Sequence, residues 1–308
     1  SPKAYYNDPK IEARFASGDW DGVAAAVSRF PPGALPPIVA LRAGLVLHLR
    51  GRIHDAVDTY TRGCGPAEPA EPSIVAAIHA YRSAARWLLG DALECRADAA
   101  TAMTMADESA DDAALASAHT VAAMIAAVDG DRAANQVHYM RALAHAETAG
   151  DVLQIIRIRT NRGSRAIEEG NYQEGHAELD LAVDLAERSG YQSFAALALS
   201  NRGEAHLKLG RVDEAARDLE SAVARYVVLG SRLRAYPLVH LGDLHRIRGE
   251  RAQARAAYDE ALRLADEADD LQGLAPCLAG LAELLLDDDV DAARSYVDRA
   301  LAIEPSLA

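Results

Sequence analysis

Ten histidines, three cysteines and several pairs of neighbouring acids are the side chains in this 308-residue chain that could do chemistry on their own. A metal needs ligands that converge on one point. His240 and His245 are five residues apart, which on a helix turns them by about 140° onto different faces. His138 and His145 are seven apart and share a face, but two turns separate them and no third ligand accompanies them. There is no H-E-x-x-H, and none of Cys64, Cys95 and Cys277 stands in C-x-x-C spacing, so neither a metal nor another cofactor is expected. Asp107-Glu108 with Asp111-Asp112, and Asp266-Glu267 with Asp269-Asp270, have the composition of general acid–base pairs. They fall, however, at the ends of apolar-periodic stretches, where aspartate caps helices. With no G-x-x-x-x-G-K-[ST] and no G-x-S-x-G either, no residue is assigned a catalytic role and the chain is not expected to be an enzyme.

Composition narrows the partners. Thirty-two basic against 46 acidic residues give a net charge of −14, which argues against direct binding of nucleic acid or an anionic membrane by this segment. Only Lys3, Lys10 and Lys208 among the basic residues are lysines, a bias toward arginine that fits a GC-rich bacterial genome. No apolar run reaches the ~18–20 residues needed to span a bilayer, and the first twenty residues lack a signal-peptide core, so a cytoplasmic setting is expected. A chain that opens at Ser1 and stops at Ala308 just after a helical pattern reads as a piece of something longer. Half of the residues are hydrophobic but only 5% are aromatic, so burial must come from many small contacts, as between closely approaching helices.

The elements that must position any site are set by a repeat. Gly18, Gly51, Gly90, Gly130, Gly170, Gly210 and Gly249 follow one another at intervals of 33, 39, 40, 40, 40 and 39. Gly150, Gly190 and Gly230 form a second series, offset by half a period. Each follows an apolar-periodic stretch, as a helix-ending glycine does, so each 40-residue period holds two helices. In residues 151–190 the first helix is expected from Asp151, its N-cap, to Glu169, with Ile155, Ile156, Ile158 and Ile167 as its apolar surface. Gly170-Asn171 is the turn, and Leu179, Ala182, Val183, Leu185 and Ala186 form the stripe of the second helix.

Small residues recur where the two helices must touch, with one large residue between them: Gly163, Gly175, Leu179, Ala182; Gly203, Ala215, Leu219, Ala222; Gly242, Ala254, Tyr258, Ala261; and Gly44, Ala56, Tyr60, Gly63. The pattern weakens at Ser83, Cys95, Ala99, Ala102 and at Ala123, Asn135, Tyr139, Ala142. This signature resembles the tetratricopeptide repeat. The resemblance implies an all-α fold, a right-handed superhelical solenoid of about eight helical hairpins forming a single domain over residues 1–308. A period near 40 exceeds the family's basic ~34, and such longer repeats are similar to the sensor regions of large bacterial LuxR-type regulators. Prolines at 31, 32, 36 and 37, and again at 66, 69 and 72, place loops between the first hairpins, and Pro237 and Pro276 are expected in the first turns of their helices. The last hairpin turns at Asp287-Asp288-Asp289, and its second helix keeps Val297, Ala300, Leu301 and Ile303 with no later helix to cover them, so a homodimer or a downstream domain is a candidate partner.

In such a stack the first helix of each hairpin lines the inner face. Projected onto it, the early units offer Ile38, Leu41, Arg42, Leu45 and His48, then Ala77, Ala80, Tyr81, Ala84 and Trp87. The later units are polar and supply the candidate binding residues: Arg157 and Asn161; Asn201, Glu204 and Lys208; Tyr236, His240, Asp243 and Arg246. Asn161 and Asn201 occupy equivalent places and could present a short ladder of amides; the resemblance implies that such positions hold a peptide backbone or terminal carboxylate. Two functions follow as expectations. One is a non-catalytic scaffold or regulator that binds a protein, a peptide or another domain of its own chain. The other is a sensor of a small-molecule effector held in repeats 5–7 by Arg157, Tyr236 and Arg246. Arg162 and Arg202 precede Gly163 and Gly203 where an apolar residue is usual, and are expected to form structural ion pairs between repeats, the alternative being an anion-binding pair that reaches a phosphorylated or carboxylated effector.

Overall fold

A computed structural model describes residues 9–33, 35–65 and 72–307. Among them every regular element is helical, and the helices follow one another as hairpins: α1 (Pro9–Ala16) with α2 (Trp20–Ala26), α3 (Pro37–Leu49) with α4 (Ile53–Gly63), α5 (Pro72–Leu88) with α6 (Ala92–Ser109), α7 (Asp112–Val128) with α8 (Arg132–Ala149), α9 (Val152–Glu168) with α10 (Tyr172–Ser189), α11 (Gln192–Lys208) with α12 (Val212–Val228), α13 (Ala235–Ile247) with α14 (Arg251–Ala268), and α15 (Leu271–Leu285) with α16 (Val290–Leu307). The loop expected around Pro66 and Pro69 lies outside the described residues. The chain divides into two compact units, Ser1–Ile158 with Ser189–Tyr191, and Arg159–Arg188 with Gln192–Ala308.

The four-residue signature works as a knob in a gap. A Cβ on Gly163 would stand 2.5 Å from Leu179, one on Gly203 2.6 Å from Leu219, and one on Gly44 2.3 Å from the Tyr60 ring, so the missing side chains are what let the two helices close. Where the signature weakens, the substituted polar groups stitch the same crossing. Ser83 Oγ donates to the Cys95 carbonyl at 2.8 Å, and Asn135 Nδ2 donates to the Ala123 carbonyl at 2.7 Å. First helices also pack on the first helices of adjacent hairpins, α3 on α5 and α5 on α7 in one unit, α11 on α13 and α13 on α15 in the other. They are therefore enclosed on more sides than the second helices, and α3 is buried from Ile38 to Leu47.

The second glycine series continues in the backbone where glycine itself is absent. Gly150 ends α8 with φ 66°, and the equivalent places one repeat earlier and three later are Ala110 with φ 48° and Asp269 with φ 52°. A left-handed alanine costs about 1–2 kcal/mol relative to its usual region, partly offset by the greater freedom glycine loses on folding. Ala110→Gly is therefore expected to raise stability by about 0.5–1 kcal/mol, read as a shift of the urea midpoint; an unchanged or lowered midpoint would refute strain at this turn.

Pro237 is the third residue of α13, within its first turn as expected, but Pro276 is the sixth of α15 and lies inside the helix. The helix starts earlier than the proline suggests because Asp270 caps it, accepting the Gly273 N–H at 3.0 Å.

Candidate functional site

In the second unit α11 and α13 bring four of the expected residues together: Glu204, His240, Asp243 and Arg246. His240 Nε2 stands 3.7 Å from Glu204 Oε2, and its Nδ1 stands 3.9 Å from Asp243 Oδ2. Arg246 reaches Asp243 at 3.5 Å and Glu283 of α15 at 3.0 Å, and the Tyr258 hydroxyl of α14 donates to Asp243 Oδ1 at 2.6 Å. Burial works against the charge on His240, yet Asp243 and Glu204 overrule it and raise its pKa; Lys208, exposed at the end of α11, acts in the opposite sense. Burial likewise opposes the Asp243 carboxylate, but His240 and the Tyr258 hydroxyl hold its pKa down. The arrangement is a charge-compensated network.

Tyr236 is not part of that network. Its hydroxyl donates to Asp270 Oδ2 at 2.7 Å, tying α13 to the residue that caps α15. Burial, reinforced by Asp270, holds the Tyr236 phenol well above its ordinary pKa. Asn161 and Asn201 sit half-buried on α9 and α11, and neither carboxamide makes a side-chain hydrogen bond among the described residues.

Arg162 and Arg202 form ion pairs mainly within their own hairpins, and the expected pairing between repeats is made by Arg202 to Asp180. Arg162 and Arg159 share Glu178 of α10, each at 3.0 Å. Arg202 grips Asp218 of α12 with two bonds, of 2.7 and 2.9 Å, and reaches Asp180 of α10 at 2.6 Å. Their register had an earlier member that the glycine pattern did not reveal. Arg82 on α5 grips Asp98 on α6 with bonds of 2.8 and 2.6 Å, again sixteen residues apart, and Arg86 and His79 each add a bond of 2.7 Å to the same carboxylate. The signal was present: Arg82 precedes Ser83 as Arg162 precedes Gly163.

Arg157 belongs to the first unit. Its guanidinium carbon lies 4.1 Å over the centre of the Tyr81 ring, and its Nη1 donates to Gln154 Oε1 at 3.1 Å. Gln154, only 1% exposed, turns its amide to Tyr81 of α5 and Ser117 of α7, so one buried side chain joins three successive first helices. Sequence reading missed Gln154 because a glutamine one turn before an arginine carries no signal of burial. Arg42 of α3 pairs with Glu12 of α1 at 2.7 Å and lies 4.9 Å over the Phe15 ring, which stands 6.4 Å from Tyr191.

A second histidine arrangement also escaped the spacing argument. His119 of α7 enters beside the two histidines of α8, its Nδ1 2.9 Å from that of His138 and its ring stacked on His145 at 5.8 Å. Burial, with His138 and His145 adding to it, lowers the His119 pKa to about 4. His145 turns its own Nδ1 to Asp112 at 2.8 Å, and no group of three or more ligands that could hold a metal ion occurs among the described residues. Nor is any helix among them long and apolar enough to cross a membrane.

Comparison with known proteins agrees with this architecture. The family model described as anaphase-promoting complex subunit 5 matches residues 162–225 and 231–288. No curated protein sequence matches. Among solved structures, the APC/C hetero-tetramer Cut9-Hcn1 aligns over 96% of this chain and 52% of its own, with 17% identity and a TM-score of 0.65. Rap protein complexed with Competence and Sporulation Factor aligns over 97% of this chain and 96% of its own, with 13% identity and a TM-score of 0.59. A STAND protein with a tetratricopeptide repeat sensor from Pyrococcus horikoshii aligns over 87% of this chain and 42% of its own, with 15% identity and a TM-score of 0.51. At these identities the likeness is one of fold. By fold, the chain is a tetratricopeptide-like helical-repeat protein.

Proposed function

We propose that this chain is a non-catalytic scaffold that holds an extended segment of a protein or peptide along the first helices of its second unit. The observation that carries this reading is the pair Asn161 and Asn201, half-buried, one repeat apart and unpaired, while the adjacent Arg162 and Arg202 are consumed in ion pairs. A carboxamide both donates and accepts, as a peptide unit does. First helices of adjacent hairpins lie about 10 Å apart, and an extended chain rises about 3.3 Å per residue, so the two amides would address every third residue of the segment. Glu204, Lys208, His240, Asp243 and Arg246 then offer charges of both signs beside it.

Peptides selected on the wild-type protein from a displayed random library should bind the Asn161→Ala, Asn201→Ala double variant about tenfold or more weakly, since each lost bond is worth roughly 0.5–1.5 kcal/mol, with the urea midpoint unchanged. Equal binding by the double variant, or failure to select any peptide, would refute the reading.

The setting we infer is a cytoplasmic bacterial regulator of transcription, of the LuxR type. The 40-residue period, the arginine bias and the fold likeness to a STAND protein with a repeat sensor support it. A helix-turn-helix encoded in the same reading frame is the expected result, and a complete gene without one would count against it. A small-molecule effector held by Arg157, Tyr236 and Arg246 has less support, because Tyr236 is spent on Asp270 and Arg246 on Asp243 and Glu283.

A further inference from the structure

In a stack of repeats each hairpin touches only its neighbours, yet the first unit is crossed by contacts that skip hairpins. Gln154 and Arg157 on α9 reach past α7 to Tyr81 on α5, the amide at 3.3 Å from the hydroxyl and the guanidinium at 4.1 Å over the ring. The longest crossing starts from α1. Phe15 stands 6.4 Å from Tyr191, which belongs to the same unit through the turn Ser189–Tyr191, so the first hairpin meets the turn between the fifth and the sixth. Tyr191 is half-buried although it stands outside any helix.

The seating of α1 rests on one side of a short helix. Ile11 and Phe15 are buried, and Glu12 between them pairs with Arg42 of α3 at 2.7 Å; the Arg42 guanidinium also lies 4.9 Å over the Phe15 ring. At eight residues α1 is too short to hold its form in water alone, so these contacts keep it helical. α2 is fixed without them. Asp19 caps it by accepting the Gly22 N–H at 2.8 Å, Trp20 and Val23 are buried, and Arg50 of α3 binds Asp21 at 2.7 Å and lies 5.6 Å over the Trp20 ring. Between the two helices Gly18 takes φ 77°, a conformation glycine adopts at little cost, with open space where its side chain would be. Arg14 ties the end of α1 to α2 beside this pivot, through the Gly22 carbonyl at 3.2 Å.

We propose that α1 is a latch, closed by the contacts of Phe15 and Glu12 with Tyr191 and Arg42, and opened by a turn at Gly18 that leaves α2 and the hairpins after it folded. A segment with few buried contacts opens locally at a small fraction of the global stability, and α1 has two buried apolar side chains where α3 is buried from Ile38 to Leu47. Closed, the latch covers Arg42 and Tyr191. Open, it uncovers both without unfolding a repeat, so access to this part of the first unit is set by a two-turn helix and not by the pitch of the stack. The latch does not rest on the peptide reading for the second unit, and either can fail without the other.

Hydrogen exchange of the whole chain, read by mass spectrometry at increasing sub-denaturing urea, tests this. Amides of α1 should exchange at least about a hundredfold faster than those of α3 and α5, through an opening that urea does not accelerate, whereas α3 and α5 should follow the urea dependence of global unfolding. Tyr191→Ala, a change far along the chain, should speed exchange in α1 about tenfold, the worth of an aromatic pair. Phe15→Ala should speed it about a hundredfold or more, and Phe15→Leu, which keeps apolar bulk and guards against a variant that does not fold, about tenfold. In all three variants the protection of α3, α5 and α7 should stay at the wild-type level. Exchange of α1 in step with α3 at every urea concentration would overturn the proposal, because α1 would then be an ordinary member of the stack. So would an α1 rate unmoved by Tyr191→Ala, or a loss of protection in α3 and α5 as large as that in α1 when Phe15 is replaced by leucine.

Discussion

Truncating Tyr258 to alanine is expected to destabilise the second unit by about 3–5 kcal/mol, the range for removing a buried aromatic ring. Tyr258 is fully buried on α14, and its ring fills the space left by two glycines on different hairpins. A Cβ on Gly242 of α13 would stand 2.4 Å from it, and one on Gly280 of α15 would also stand 2.4 Å from it. One side chain thus closes its own hairpin and fastens the next, and Ala254, Ala261, Leu274, Cys277 and Leu281 pack in the same cluster. Truncation would open a cavity across two interfaces and also remove the bond to Asp243. Tyr258→Phe, which keeps the ring, should cost only about 1.5–3 kcal/mol for the lost bond to a carboxylate. The converse change, Gly242→Val, is expected to be as damaging as the truncation, because the knob has nowhere to go. Urea unfolding followed by circular dichroism measures all three, and a smaller m-value in the alanine variant would show that these repeats unfold apart from the rest. A loss of under 1 kcal/mol for Tyr258→Ala would remove the ring from its assigned role.

The same residues show how much of this molecule can be read from its sequence. Glycine spacing and the small–large alternation locate the turns and crossings because both are local demands of the backbone: a left-handed residue and a missing Cβ leave their mark at the position itself. Ala110 and Asp269 escape because the backbone adopts the same turn at a cost the side chain does not advertise. Pro276 is misplaced because a cap three residues upstream of Gly273 outweighs the proline's preference for a helix start. The candidate site was legible only in part. Glu204, His240, Asp243 and Arg246 do meet, since helical projection predicts which residues share a face. What projection does not predict is which side chain arrives from another hairpin. Tyr236 is drawn to Asp270, Arg157 to Tyr81 and Gln154, and His119 to two histidines of the following helix, all by packing at separations that no repeat encodes.

Replacing Asp98 with alanine or asparagine is expected to cost about 3–5 kcal/mol at neutral pH, the penalty for removing one partner of a buried charge cluster. The carboxylate is 3% exposed and receives bonds from Arg82, Arg86 and His79, so its loss leaves up to three cationic groups facing one another in a place where water cannot replace it. The pH dependence separates this from a packing defect. Burial opposes the Asp98 charge, but Arg82 and His79 overrule it and bring its pKa to about 2. An unfolded aspartate titrates near ~3.9, so this contribution is fully present above about pH 4 and is lost as the pH falls through about 2. His79 has the opposite sign. Burial works against its charge, yet the bond to Asp98 and the adjacent Cys64 lift its pKa to about 9. Its contribution is fully present below the unfolded value near ~6.5 and is lost as the pH rises through about 9. Unfolding free energies of the wild type should therefore decline on both sides, between pH 4 and 2 and between pH 6.5 and 9. Asp98→Asn should flatten the alkaline decline along with the acid one, because His79 has lost the partner that held its proton. An asparagine variant that keeps the wild-type slope between pH 6.5 and 9 would show that His79 and Asp98 are not energetically coupled, and with that the three-cation cluster would lose its claim to hold α5 against α6.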